Sequence, residues 1–436
     1  MTTAHEPRRQ PQRPRRSPFA AAGWKVPERF EDDSHPGRPK ILFVGHADSS
    51  HTHAWIDLLV GATFNVRLFA LPGGLPPEGW HVRTYVTSPT LRRLDPRSRQ
   101  RLYPAGRIAR APMRAYARFV AGYRVLEQRW LARIVREWKP DIVHTLGIDP
   151  AGELFFDVRR EYHLENAARW IVQTRGGSDL ALARFDEQRA PRLGEIMRAA
   201  DALLSDNAVN FEIALDWGVR PDQLSPLGTV PGTGGVDVDL LAAHASGAPS
   251  SRRTIVWPKA YESPWSKALP VFEALAQYWK RLPSCEIHVL ATVPETRMWF
   301  QALPDAVKKA CHLDHRIPRD QLLKLMGRSR VMLAPSLVDG TPNAMFEAMA
   351  TGAFPILSPL ATIKPLVRDE RNVLFARNLY PDEIGNALVR AMTDAALVDN
   401  AVEENLALVR TLADRARIRP RVVDMYESLA MTRPDR

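Results

Sequence analysis

Short apolar runs alternate with helical stretches along almost the whole chain, and this alternation limits the folds open to it. Runs over 41–45, 65–70, 81–86, 141–146, 170–175 and 202–206 form a first series. A Pro/Gly-rich passage over 226–235 and a small-residue stretch reaching 251 interrupt it. A second series follows over 254–257, 286–291, 311–317, 331–334, 354–357 and 373–375. Brief apolar runs separated by helices are the pattern of βαβ units, whose parallel strands are covered on both faces by crossover helices. The chain is therefore expected to be α/β with two Rossmann-like domains. Ligands of open parallel sheets bind beyond the carboxyl ends of the strands, so two such domains facing each other would bind in a central cleft.

Two cysteines, Cys285 and Cys311, cannot build a disulfide framework, which points to a reduced, cytoplasmic compartment. No apolar stretch approaches a membrane span, and the Arg-bearing N-terminus has no apolar signal core. The net charge of +11 is unevenly placed. Residues 1–40 hold nine Lys/Arg against five Asp/Glu, and residues 91–139 hold fourteen against three. Such asymmetry asks for an acidic partner or surface. Residues 1–39, rich in Pro and Arg, read as a disordered basic arm.

The most informative segment is 333–352. After the apolar run come a loop of Asp, Gly and Pro, a helix that Thr341 caps with Pro342 at its first position, and Gly352 as the stop. A helix N-terminus facing a polar loop suits an anion such as a diphosphate. Asp339 lies in the loop and Glu347 in the helix, eight residues apart. Glu347 sits among Met345, Phe346, Ala348 and Met349, so its carboxylate is expected to be partly buried and to need donors, which sugar or ribose hydroxyls would supply.

This segment resembles the E-x7-E signature of family 4 glycosyltransferases, with Asp339 at the first acidic position and Glu347 at the second. The resemblance implies a GT-B fold and a retaining, metal-independent hexosyltransferase using a nucleoside-diphosphate sugar as donor substrate, with no cofactor. It implies that Asp339 and the loop groups of Gly340, Thr341, Pro342, Asn343 and Ala344 hold the donor sugar, and that Glu347 holds the ribose. It also implies two cations after the first strand of the second domain, where Lys259 and Lys267 stand, to stabilise the leaving diphosphate. The loop over 312–318 lies where relatives hold the base through backbone groups. Asp237-Val238-Asp239 has the letters of a metal-binding D-x-D, but that motif belongs to the other glycosyltransferase fold; no metal site is expected.

The resulting domain map has an acceptor-side domain over 40–238, a linker over 239–253, a nucleotide-sugar domain over 254–415, and a C-terminal helix over 416–436 that in this fold crosses back to the first domain. Four residues of the first domain are candidates for the cleft. Gly45 permits close backbone approach. His51 follows in a loop that either meets the diphosphate or acceptor or only caps a helix through Ser50 or Thr52. His144 ends a strand in the "PDIVH" pattern of the family, with a functional and a structural role both open. Arg175, in Arg-Gly-Gly-Ser-Asp, adds positive charge to the cleft or pairs with Asp179.

Phe119, Tyr123, Leu126, Trp130, Ile134 and Trp138 recur at helical spacing in the Arg-rich region. They form a core-facing stripe or a basic, aromatic surface for an anionic membrane leaflet. The function expected is sugar transfer to a glycan, lipid-linked or small-molecule acceptor in cell-surface polysaccharide or glycolipid synthesis, in the cytoplasm at the inner face of the membrane. A non-catalytic nucleotide-sugar binder and a nucleic-acid binder using the Arg-rich region are the alternatives; no recognition motif supports the latter.

Overall fold

The computed structural model describes residues 24, 25, 27, 29–77, 79–87, 99–103, 107–176, 178–315 and 317–431. The first sheet has eight strands: β1 (Lys40–His46), β2 (Asn65–Leu71), β3 (Arg83–Thr87), β4 (Gln100–Tyr103), β5 (Ile142–Leu146), β6 (Arg169–Thr174), β7 (Ala202–Ser205) and β8 (Leu224–Thr229). Their order is β4-β3-β2-β1-β5-β6-β7-β8, parallel throughout. The second sheet has six: β9 (Thr254–Trp257), β10 (Glu286–Val289), β11 (Cys311–Leu313), β12 (Ser329–Ala334), β13 (Phe354–Leu357) and β14 (Leu374–Phe375). Their order is β11-β10-β9-β12-β13-β14, again parallel. Strand order reverses between β1 and β5 in one sheet and between β9 and β12 in the other. At such switch points the chain leaves adjacent strand ends in opposite directions and opens a crevice.

Two strands of the first sheet escape the apolar pattern. β4 (Gln-Arg-Leu-Tyr) is only half-buried, and β8 (Leu-Ser-Pro-Leu-Gly-Thr) contains Pro226. Both are edge strands, where one face or one set of backbone groups meets solvent and a proline removes no ladder bond. The central strands β1, β2 and β5 are buried almost throughout, mostly through apolar side chains, with Asn65, Arg67, His144 and Thr145 buried among them.

The chain passes between domains twice, and the two passages lie side by side. Val236 N–H donates to Ala413 O (2.8 Å), and Arg415 N–H donates to Val236 O (2.9 Å). Beyond the second passage the helix Arg415–Met431 returns to the first domain and inserts Ile418, Val422, Met425 and Tyr426 into its core. Burying a large side chain of this kind contributes roughly 1.5–3 kcal/mol. The linker over 239–253 is partly helical, with Val238–Ala242 capped by Asp237.

The arm expected over 1–39 ends earlier than residue 39. Phe30 is buried edge-on to Tyr85 (centroids 5.1 Å apart), and Arg83 donates to Phe30 O (2.9 Å). An aromatic anchor and a buried arginine's need for acceptors hold residues 29–39 on the sheet. Residues 1–23 of the arm, and 88–98 and 104–106 of the Arg-rich region, lie outside the described residues. Within that region the helix Tyr123–Trp138 buries Leu126, Ile134 and Trp138 as a core-facing stripe. The stripe does not extend back to Phe119, which is 76% exposed beyond Gly122.

Candidate active site

The two switch-point crevices open toward each other and enclose a cleft of about 490 Å³. From the second domain it is lined by Lys259, Arg319, Asp339, Thr341, Pro342, Asn343, Ala344 and Glu347, among others. From the first it receives His46, His51, Arg175, Asp179, Asp206 and Thr233.

The loop after β12 is fixed from both sides. Lys259 Nζ donates to Asp339 Oδ2 at 2.7 Å, Gly340 N–H donates to Asp339 Oδ1 at 3.0 Å, and Thr362 Oγ1 donates to Asp339 O at 2.9 Å. Burial works against the Lys259 ammonium, but Asp339 more than offsets it and holds its pKa above the ordinary lysine value. Asp339 therefore stands at the cleft wall already carrying a cation.

The helix begins one residue later than expected, at Asn343, with Pro342 in the cap position and no side-chain cap. Thr341 is not the cap because its hydroxyl crosses the cleft to donate to Asp206 O at 2.6 Å. Thr233 Oγ1 donates to Asn343 Oδ1 at 2.9 Å, a second tie between the domains. Met345 N–H donates to Pro342 O at 3.0 Å, and without a capping side chain the amides of Asn343 and Ala344 are left for a ligand or solvent. One turn in, Glu347 is 3% exposed and paired with Arg319 Nη2. Arg319 follows Pro318 at the start of the helix Arg319–Arg328. Among the described residues of 312–318, the stretch expected to hold the base, none lines the cleft.

Lys267 does not join this group. Its ammonium is 2.9 Å from Glu262 and its backbone N–H donates to Asn378 Oδ1, so the side chain is anchored outside the cleft lining. The second cation that the second domain brings to the cleft is Arg319, which sequence reasoning missed. Its signal was present in the Pro-Arg start of a helix after the β11 loop, but nothing local distinguishes such an arginine from a solvated one.

On the other wall, His51 faces the cations. Its ring is accessible from the cleft, and the surrounding protein, then Arg175, Lys259 and Arg319, hold its pKa below the ordinary value. Neither Ser50 nor Thr52 caps its helix; Ser49 takes the cap position without a side-chain bond. Arg175 is not ion-paired with Asp179 through its side chain. Its guanidinium donates to Gln173 Oε1 (3.1 Å), while Asp179 accepts the Arg175 backbone N–H (2.7 Å). Burial pulls the Arg175 pKa down to about 10 and pushes Asp179 up to about 7 and Asp206 up to about 6. Asp206, also raised by the nearby Asp339, accepts from Asn207 Nδ2 (2.7 Å) and Gly176 N–H (3.1 Å).

His144 and Gly45 stand behind the cleft. His144 is fully buried, with Nδ1 2.5 Å from Tyr426 Oη, and Trp55 Nε1 donates to the same hydroxyl at 3.0 Å. This cluster ties the returning C-terminal helix to β5 through one nitrogen of His144, while its Nε2, also buried, has no hydrogen-bond partner. Gly45 serves strand packing: a Cβ there would lie 3.2 Å from Leu146 Cβ. The Asp237-Val238-Asp239 string binds within the fold, Asp237 accepting Leu240 N–H and Asp239 accepting from Arg410.

Residues 252–394 match the family model described as "Glycosyl transferases group 1". Solved structures align along nearly the whole chain. HepE of Anabaena, crystallised with UDP and glucose, aligns with a TM-score of 0.65 at 13% identity, over 90% of this chain and 100% of that one. Sucrose-phosphate synthase from Thermosynechococcus elongatus gives 0.64 at 15% identity, over 90% and 99%. A glycosyltransferase from Rickettsia africae gives 0.61 at 10%, over 91% and 100%. The fold is GT-B. A comparison with curated proteins returns no match. In GT-B terms, the matched segment holds the Lys259–Asp339 and Arg319–Glu347 pairs.

Proposed function

We propose that this protein is a retaining glycosyltransferase that moves a hexose from a nucleoside-diphosphate sugar to an acceptor hydroxyl. The observation that carries the reading is the pair of ion pairs, Lys259–Asp339 and Arg319–Glu347, flanking one uncapped helix N-terminus in the interdomain cleft. Departure of a diphosphate concentrates negative charge, and preorganised cations and amides aimed at it are worth most in a cleft that excludes water. Lys259, Arg319 and the amides of Asn343 and Ala344 fill that role, which leaves no step that requires a metal. Asp339 orients the sugar and Glu347 the ribose. The acceptor hydroxyl attacks from the face on which the diphosphate leaves.

The likeness to a structure crystallised with UDP-glucose supports a uridine nucleotide as the first donor to try. The first domain would hold the acceptor, a glycan, a lipid-linked sugar or a small molecule, in cell-surface polysaccharide or glycolipid synthesis. No helix among the described residues is long and apolar enough to cross a membrane. A peripheral site at the inner leaflet is supported by exposed Tyr116, Phe119, Val120 and Tyr123 beside Arg118 and Arg124. Incubation with a nucleotide-sugar panel tests the assignment. Release of nucleoside diphosphate from one donor, lost in Glu347→Ala, is expected; no release from any donor would count against it.

A further inference from the structure

Away from the cleft, at the edge of the second sheet, β10 and β11 bring together a group of side chains that sugar transfer does not use. The parallel register sets His288 directly opposite His312. Residues two apart on a strand share a face, so Glu286 stands beside His288 on that same side. The two imidazoles are stacked with centroids 4.8 Å apart and an interplanar angle of 25°. Glu286 Oε2 lies 3.9 Å from His288 Nε2. One ligand atom from each of Glu286, His288 and His312 falls within 4.8 Å of the others, the one such trio of His, Cys, Asp or Glu among the described residues.

The second observation concerns His288 itself. Its Nε2 is buried and has no hydrogen-bond partner. A buried polar atom left unsatisfied is costly, and the remedy must come from something that enters the cluster. An imidazole nitrogen of this kind has a lone pair to offer a cation. Glu286 adds negative charge and is largely exposed, free to turn inward. The nearby thiols are not competing ligands: Cys285 and Cys311 each precede a cluster residue by one position, on the opposite face.

We propose that Glu286, His288 and His312 form a zinc site, with the fourth position left to solvent. Two imidazoles and one carboxylate suit this borderline cation, which takes His nitrogen at about 2.0–2.1 Å and carboxylate oxygen at about 2.0–2.2 Å in tetrahedral geometry. A tetrahedral ion spaces its ligand atoms more closely than 4.8 Å, so the two stacked imidazoles and the carboxylate would turn toward a common point on binding. The bound ion clips the three-residue edge strand β11 to β10, restraining an edge that would otherwise present unpaired backbone groups.

The test is zinc titration of the metal-stripped full-length protein in competition with a chromophoric chelator, with melting temperature read in parallel. One zinc per chain and a raised melting temperature are expected. His312→Gln changes an exposed side chain and serves as the variant that keeps its fold; His288→Gln is the second. Each should weaken binding by more than the roughly 10- to 100-fold typical of losing an outer-shell partner. Wild-type protein that binds no zinc, or binds it as tightly as both variants do, overturns the proposal.

Discussion

Glu347, 3% exposed inside a helix, is neutralised by Arg319 from a separate helix that begins just after the β11 loop. A buried carboxylate without such a partner would be strongly disfavoured, so the pair is one unit of the site. Glu347→Gln is expected to lower donor affinity about 10- to 100-fold, the loss of a charge-assisted bond. Arg319→Ala should lower it comparably, measured by calorimetric titration with the donor. The double variant should be no worse than the weaker single, since each side chain positions the other.

Lys259 and Lys267 make a direct contrast. Lys259 is held at the cleft wall by Asp339, whereas Lys267 is bound to Glu262 outside it. Lys259→Ala should reduce donor turnover about 100-fold or more, as a cation aimed at developing charge does. Lys267→Ala should cost less than about 3-fold, in line with an exposed ion pair. Steady-state kinetics on the two variants separates them.

Gly340 tests the contact between domains. A Cβ there would lie 2.5 Å from Asp206 Oδ2 and 2.7 Å from Gly176 Cα, and the backbone of Gly176 cannot move aside as a side chain can. Gly340→Ala should leave each domain folded but hold them apart, with turnover falling at least about 10-fold as misplacement of reacting groups predicts. Small-angle scattering should report a more open shape, and circular dichroism an unchanged fold.

His144 predicts a pH dependence of stability. Burial holds its folded pKa well below the ordinary value, so the folded protein keeps it neutral while the unfolded chain binds a proton below about pH 6.5. Its contribution is present above that pH and is lost as pH falls, at about 1.4 kcal/mol per unit. His144→Gln should flatten the acid limb of a denaturant-midpoint profile below about pH 6.5, although it destabilises at neutral pH by releasing Tyr426.

Phe119 and Val120, 76% and 74% exposed, test the membrane surface. Cosedimentation with phosphatidylglycerol vesicles should be strong, weaken with salt, and fall several-fold in Phe119→Ser/Val120→Ser. Equal binding to neutral phosphatidylcholine vesicles would argue against an anionic leaflet.

The two sheets were legible because central parallel strands are buried on both faces and are mostly apolar. β4 and β8 were not, since edge strands relax that demand and admit Gln100, Arg101 and Pro226. Asp339 and Glu347 stood out because loop, acid and helix occur together in one short segment. Arg319, Asp206 and Thr233 did not, because their roles arise only when distant segments meet across the cleft. Lys267 illustrates the reverse case: proximity in sequence to Lys259 could not show that Glu262, five residues earlier, would hold it outside. Thr341 was read as a cap because the sequence shows the helix but not the opposing Asp206 carbonyl.

The central claim is that Lys259 and Arg319 bind a diphosphate in the interdomain cleft. Titration calorimetry of the wild type and of Lys259→Ala/Arg319→Ala with a panel of nucleoside diphosphates, UDP first, tests it most directly. Saturable binding of at least one nucleotide to the wild type and a loss of at least about 100-fold in the double variant are expected. Binding of no nucleotide, or equal affinity in the two proteins, would contradict it.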